Sequence, residues 1–109
     1  MAKTINFEHG GKSYNLEYSL RTAGQCEQDG FVLESLGDKP ATMIPLLFHW
    51  SFAKNHRGMT KKQTSDIFEE MNHKTELVTA LGEMYAEAVN ALVDTEDEED
   101  EGNANWTVT

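Results

Sequence analysis

An apolar stretch near the middle of the chain limits the folds that are open to it. On a helix its apolar side chains point in every direction: Met43, Ile44, Leu46, Leu47, Phe48, Trp50, Phe52 and Ala53. A helix that is apolar on every side must be covered on every side, and 109 residues provide for one core. Either this helix is central and wrapped by the rest of the chain, or part of Phe48, Trp50 and Phe52 stays exposed and binds a partner or a second copy of the chain.

The N-terminal segment predicts an antiparallel β-hairpin. Apolar residues alternate with polar ones in two short runs, at positions 5, 7, 14, 16 and 18. Gly10 and Gly11 lie between the runs and supply the positive φ angles that a tight turn requires. Because an isolated hairpin is marginal in water, its apolar face must pack on other residues, and we expect the helices that follow to cover it.

Two helices are predicted after the hairpin. Ser19 is a suitable N-cap for a helix that runs to about Gln28. Thr42 can cap the apolar helix, with Pro45 in the first turn, where a missing N–H is tolerated. We expect this second helix to end near Gly58.

Two further helices complete the prediction. Thr60 and Gln63 fit a capping box at the start of a three-turn helix. Asn72 can cap the last helix, in which apolar residues recur at three- and four-residue spacing from Leu77 to Leu92. The predicted fold class is therefore α+β and mainly helical, with an N-terminal β-hairpin packed on about four short helices.

The acidic residues are concentrated near the C-terminus. Seven of the eight residues from Asp94 to Glu101 are acidic, whereas the rest of the chain has 12 acidic and 9 basic residues. Such a run buries no apolar surface and its charges repel one another, so we expect one domain at residues 1–93 and a disordered acidic tail at residues 94–109. The tail can keep the protein soluble, block non-specific association or present Trp106, which is either part of a disordered end or a docking anchor.

The composition argues against several classes of ligand. The nearly neutral body lacks the clustered Lys and Arg that nucleic-acid binding needs. The single cysteine, Cys26, excludes an internal disulfide and fits a reducing compartment. No segment approaches the roughly 20 apolar residues of a membrane span. We therefore expect a soluble, cytoplasmic protein that binds neither nucleic acid nor membranes.

No residue pattern predicts catalysis, a metal or another cofactor. His49 and His56 are seven residues apart in the sequence, whereas metal-binding pairs on helices prefer three or four. Glu27 and Asp29 beside Cys26 would raise the pKa of its thiol, so Cys26 is expected to be a small half-buried residue rather than a nucleophile. Because a glycine-rich phosphate loop is also missing from the sequence, we expect a protein-binding protein and not an enzyme.

The layout of the whole chain resembles that of the small tail assembly chaperones of long-tailed, siphovirus-type bacteriophages and prophages of Gram-positive bacteria. The likeness lies in the two strands Thr4–Phe7 and Tyr14–Tyr18 around a glycine turn, the short helices, the acidic linker and the terminal Asn105-Trp106. The resemblance implies a factor of the bacterial host cytoplasm that is absent from the mature virion. Such a factor binds the tape measure protein, keeps it soluble and promotes assembly of the tail tube protein around it.

The candidates for partner contact are Phe48, Trp50 and Phe52, with Trp106 as a further one. Two other functions stay open. An acidic inhibitor that mimics DNA is suggested by the net charge of −10, although a mimic needs carboxylates spaced on a rigid surface. A structural component of the virion tail would be present in purified particles, whereas an assembly chaperone would be missing from them.

Overall fold

The computed structural model describes residues 4–92, and within that range the chain forms a two-stranded hairpin, four α-helices and one 3₁₀ turn. The elements are β1 (Ile5–His9), β2 (Lys12–Leu16), α1 (Leu20–Gln28), the 3₁₀ turn (Leu33–Ser35), α2 (Pro40–Trp50), α3 (Lys61–Glu69) and α4 (Lys74–Asn90). This architecture confirms the predicted α+β, mainly helical fold class. The predicted tail at residues 94–109, including Trp106, lies outside the described residues.

The hairpin forms where the sequence predicts it. Gly10 and Gly11 have φ angles of 59° and 79°, which the left-handed turn requires and which other residues rarely adopt. The strands are antiparallel, and Phe7 lies opposite Tyr14 with the ring centroids 5.3 Å apart. Tyr14 and Leu16 are buried while Ser13 and Asn15 are exposed, so the alternation in the sequence corresponds to the two faces of β2.

The hairpin contacts residues 51–57, the turns that connect α2 to α3. The Tyr14 ring lies 5.6 Å from that of Phe52 and 5.1 Å from that of His56, centroid to centroid. The amide of Asn15 donates to Nε2 of His56 over 2.9 Å. The amide of Glu17 donates to a carbonyl in the same turns, 3.0 Å away. The turns after α2 therefore contribute to the cover that we expected from the helices.

Side-chain caps fix the first turns of α1 and α3, as the sequence predicts. At α1 the Ser19 hydroxyl accepts the Thr22 amide over 3.2 Å, and the Thr22 hydroxyl accepts the Ser19 amide over 2.9 Å. At α3 the Thr60 hydroxyl accepts the Gln63 amide over 3.1 Å, and the Gln63 side-chain carbonyl accepts the Thr60 amide over 2.8 Å. Both are complete capping boxes, which satisfy amides that have no partner within the helix.

Helix α2 begins three residues earlier than predicted, since its N-cap is Lys39 and not Thr42. Pro40 occupies its first turn, where a fixed φ and a missing N–H suit a helix start, and Lys39 is the N-cap. Pro45 consequently lies inside the helix and not in its first turn. Because proline lacks an N–H, the Ala41 carbonyl receives no bond from the residue four positions on.

Helix α2 also ends earlier than the predicted Gly58. Its last residue is Trp50, and the hydroxyl of Ser51 donates to the Phe48 carbonyl over 2.5 Å. The Ser51 carbonyl accepts the Glu17 amide at the end of the hairpin. The hydroxyl of this buried serine therefore bonds back to α2, and its carbonyl bonds to the end of the hairpin. The helix ends here because Ser51 is part of a turn that contacts the hairpin.

Helix α2 is central, because it packs against α1, α3 and α4. The buried apolar side chains come from every helix and from the hairpin: Tyr14, Leu16, Tyr18, Ala23, Cys26, Phe31, Met43, Leu47, Phe48, Phe52, Ile67, Leu77, Leu81, Met84 and Tyr85. The buried Tyr18 hydroxyl donates to the Leu47 carbonyl over 2.6 Å and so links the end of the hairpin to α2. Helix α4 is capped by His73, whose φ is 55°, one residue after the predicted cap Asn72.

Candidate protein-binding surfaces

Two of the predicted contact residues are interior. Phe48 and Phe52 are each only 1% exposed, so the prediction that they remain open to a partner is wrong. The Phe48 ring lies 5.0 Å from that of Phe52 and 5.1 Å from that of Phe68, both edge to face. For Phe48 and Phe52 the structure thus shows the first alternative, in which the rest of the chain covers them, whereas Trp50 stays partly exposed.

Trp50 is the predicted contact residue that stays at the surface, where it is partly exposed. Its indole N–H donates to the Asp29 carboxylate over 2.9 Å, and the Lys61 ammonium lies 2.7 Å from the same carboxylate oxygen. Lys61 and, to a smaller extent, Trp50 hold the pKa of Asp29 below its ordinary value. Trp50 is therefore fixed in orientation at the C-terminal end of α2.

An apolar groove lies between α2 and α3, with a volume of about 230 Å³. It is lined by Asp29, Thr42, Pro45, Leu46, Phe48, Lys61, Thr64, Ser65 and Phe68. Phe48 is buried at its base, Leu46 and Phe68 are partly exposed, and Pro45 and Ser65 are exposed. The groove thus offers apolar side chains to a ligand without requiring the core to open.

A basic cavity of about 410 Å³ lies between the N-terminal part of α1 and the segment 49–59. Its cationic lining residues are Arg21, Lys54 and Arg57, and none of the described residues that line it is acidic. Trp50 also lines it. Its charge is opposite to that of the domain as a whole, since residues 4–92 contain 8 Lys and Arg against 12 Asp and Glu.

The basic cavity was missed at the level of sequence, although a signal for it exists. Between Asp38 and Asp66 the chain has five Lys and Arg residues and no Asp or Glu. A total charge for the body averages this stretch with acidic segments such as helix α4. A charge count in short windows would have found the stretch, but not Arg21, which the packing of α1 brings to the same place.

The two histidines singled out by the sequence serve different hydrogen bonds. His49 Nδ1 lies 2.9 Å from the Thr64 hydroxyl, which itself donates to a backbone carbonyl, so His49 Nδ1–H is the donor. His56 Nε2 accepts the Asn15 amide in the turns below the hairpin. In residues 4–92 no group of three or more His, Cys, Asp and Glu side chains is arranged to hold a metal ion.

Acid is expected to destabilise the fold through His49. Burial, followed by the Lys61 charge, lowers the pKa of His49 from its ordinary 6.5. Below pH 6.5 the unfolded chain therefore binds a proton at this position that the folded chain does not, and the free energy of unfolding falls with falling pH. In urea titrations between pH 7 and pH 5, His49→Asn, which keeps an N–H donor but does not titrate, should show a smaller fall. Equal falls in both proteins would contradict this role.

Cys26 is a buried thiol and more enclosed than predicted. Its exposed fraction is 0%, and it lies 3.6 Å from the Tyr18 hydroxyl and 3.7 Å from the Leu46 carbonyl. Burial is the main cause that raises its pKa to about 11, and the charge of Asp29 adds to the effect. A thiol in this state is a poor nucleophile.

Native Cys26 is expected to resist thiol reagents. A rise of the pKa from 9.0 to about 11 leaves about a hundredfold fewer thiolates at pH 8, and burial restricts access further. The reaction with Ellman's reagent should be at least about a hundredfold slower in the native protein than in denaturant. A native rate close to the denatured one would show that the thiol is accessible.

The described part of the chain contains no helix long and apolar enough to cross a membrane. Comparison with curated proteins and with solved structures finds no match to the chain. One family model matches, that of a domain of unknown function, and it covers residues 1–109. Because the match spans the whole chain, the protein belongs to the DUF5055 family.

Proposed function

We propose that the protein is a tail assembly chaperone of a long-tailed bacteriophage or prophage, and that it binds helical segments of the tape measure protein in the apolar groove between α2 and α3. The layout of the chain supports the first part: a hairpin with a Gly-Gly turn, short helices and an acidic C-terminal run. The groove supports the second part and is the observation on which the binding site depends.

The groove suits an amphipathic helix better than the buried aromatic residues do. Binding at Phe48 or Phe52 would require the core to open, whereas Pro45, Leu46 and Phe68 offer apolar surface in the folded state. An amphipathic helix places apolar anchors at three- and four-residue spacing, and one anchor can enter such a groove while its neighbours lie on the rim. Lys61 and Asp29 line the groove and offer charges to polar residues of the bound helix.

The net charge of the protein fits the proposed role of keeping the tape measure protein soluble. A long tape measure helix has apolar stripes that are exposed before assembly and that promote aggregation. A bound protein with a net charge of −10 covers part of these stripes and adds repulsion between complexes. The tail tube protein, which assembles around the tape measure protein, is the second proposed partner, and enzymatic activity is not part of the role.

A larger side chain at Ser65 tests the groove directly. Ser65 is exposed on α3 and lines the groove, so Ser65→Arg should fill it without disturbing the core. We expect the variant to lose co-purification with the co-expressed tape measure protein. Thr75→Arg is the matched control, because it places the same charge at an exposed position of α4 outside the groove. That variant should bind like the unaltered protein.

Two outcomes would contradict the proposal. Binding of a folded Ser65→Arg protein at the unaltered level would exclude the groove as the site. Mass spectrometry of purified phage particles provides the second test, since the protein should be missing from them. Its presence at stoichiometric levels would instead favour a structural component of the tail.

A further inference from the structure

The basic cavity has cations that are free to bind a ligand. Arg21 and Arg57 are exposed, and neither forms an ion pair with any other residue in the range 4–92. Lys54 is paired with Glu17 over 2.8 Å, and Asn55 also donates to that carboxylate. Within the described part of the chain, two guanidinium groups beside one open cavity are thus left without a paired carboxylate.

The other polar groups of the cavity do not cancel this charge. His49 lines it, but burial and Lys61 keep its pKa low, so that it is neutral at pH 7. Trp50 has its N–H directed to Asp29, whose carboxylate is already shared with Lys61. The ligand that complements the cavity is therefore one with several negative charges, and guanidinium groups favour carboxylates and phosphates because they bind both oxygens at once.

We propose that the basic cavity binds an acidic peptide segment, and that its occupant is the acidic run of the same chain, residues 94–101. Seven of these eight residues are Asp or Glu, so consecutive carboxylates are available for Arg21 and Arg57. The bound run neutralises the cavity and excludes acidic segments of other proteins from it. This inference concerns a different surface from the apolar groove and stands independently of the proposed function.

The geometry of the chain allows this contact. Helix α4 ends at Asn90, which shares a surface depression with Glu27 and Gly30 at the C-terminal end of α1. The cavity is lined by Gln25 and Arg21 of the same helix, whose nine residues span about 14 Å. Residues 93–101 can extend over about 30 Å, so the acidic run can reach the cavity.

Because the acidic run is covalently linked to the domain, its binding to the cavity is favoured over that of a separate acidic ligand. A short linker gives an effective concentration in the millimolar range, which exceeds that of most free proteins in a cell. Exposed ion pairs are individually worth little, and several of them must form together for stable binding. A run of seven acidic residues meets that condition, and the contact should weaken with salt because screening acts on exposed charges.

Paramagnetic relaxation in the full chain tests the proposal. Thr95→Cys places a thiol within the acidic run, and a nitroxide reagent should label it selectively because Cys26 is buried. At low ionic strength the amide signals of Thr22 and Gly58, which line the cavity, should lose most of their intensity. The signals should recover in about 1 M salt, where the screening length is about 3 Å.

Charge variants separate this site from general attraction. In the labelled chain Arg21→Gln combined with Arg57→Gln should restore the signals. Lys39→Gln combined with Lys62→Gln, which removes the same charge outside the cavity, should leave the broadening unchanged. Broadening that persists in the first variant, or that spreads evenly over the surface, would overturn the proposal.

A mixing experiment distinguishes the chain's own run from that of a second copy. Spin-labelled chains without ¹⁵N are mixed with ¹⁵N-labelled chains that carry no nitroxide. No broadening is expected, because the bound run belongs to the same molecule. Broadening of the cavity signals in the mixture at the strength seen in the singly labelled chain would mean that the occupant is another copy, and would overturn the assignment to the same chain.

Discussion

Replacement of Phe48 by alanine is expected to lower the free energy of unfolding by about 3–5 kcal/mol, the cost of removing an enclosed aromatic side chain. Phe48 is 1% exposed on the central helix and contacts the rings of Phe52 and Phe68 edge to face. The cavity left behind would adjoin both rings. A domain of this size is stabilised by only about 5–15 kcal/mol, so the variant should be partly unfolded at moderate temperature.

Chemical denaturation followed by circular dichroism measures this loss. Leu20→Ala is the control, because Leu20 is 42% exposed at the start of α1 and its truncation should cost less than about 1 kcal/mol. A loss below about 1 kcal/mol for Phe48→Ala would show that the side chain is not enclosed. Such a result would restore Phe48 as a candidate for direct contact with a partner.

Replacement of Tyr14 by alanine is expected to lower the free energy of unfolding by about 3 kcal/mol, because it removes a buried ring through which the hairpin contacts the rest of the domain. Tyr14 is 7% exposed and packs against Phe7, Phe52 and His56. Without it the hairpin keeps its hydrogen bonds to residues 51–57, but its ring contacts there are reduced to that of Phe7 with Phe52, whose centroids are 6.4 Å apart. Amide hydrogen exchange in β2 should therefore accelerate more than exchange in α4.

Tyr14→Phe is the matched control for this experiment. The Tyr14 hydroxyl forms no hydrogen bond with any described residue, so its removal should change the free energy of unfolding by less than about 0.5 kcal/mol. A large loss in Tyr14→Phe would mean that the hydroxyl, and not the ring, holds the hairpin. Equal exchange rates in the hairpin of Tyr14→Ala and of the unaltered protein would contradict the proposed role of the ring.

Elements set by local chemistry could be predicted from the sequence. The Gly10-Gly11 turn and the caps at Ser19 and Thr60 depend on residues within three positions of one another, and all three were correct. The end of α2 could not be predicted in this way. It depends on the bond between Ser51 and Glu17, which are far apart in the sequence and meet only in the folded chain.

The candidate surfaces were harder to predict for the same reason. The composition of residues 43–53 shows that cover is needed, but not whether the chain itself supplies it. The turns after α2 bury Phe52, and α3 packs its Phe68 ring on Phe48. The apolar groove arises from the way α2 and α3 meet, and the basic cavity from the approach of Arg21 to Arg57. Neither the packing of α2 on α3 nor the approach of Arg21 to Arg57 can be predicted from the spacing of residues along the chain.

The pairing of the hairpin with residues 51–57 has a consequence for synthesis on the ribosome. The strands emerge first, but the bond from Asn15 to His56 joins residues 41 positions apart. A nascent chain that stops before residue 51 contains both strands but lacks Phe52 and His56, on which Tyr14 packs. The hairpin can therefore pack on these turns only after more than half of the polypeptide has left the exit tunnel. The rate of translation thus sets the earliest time at which this domain can complete its fold.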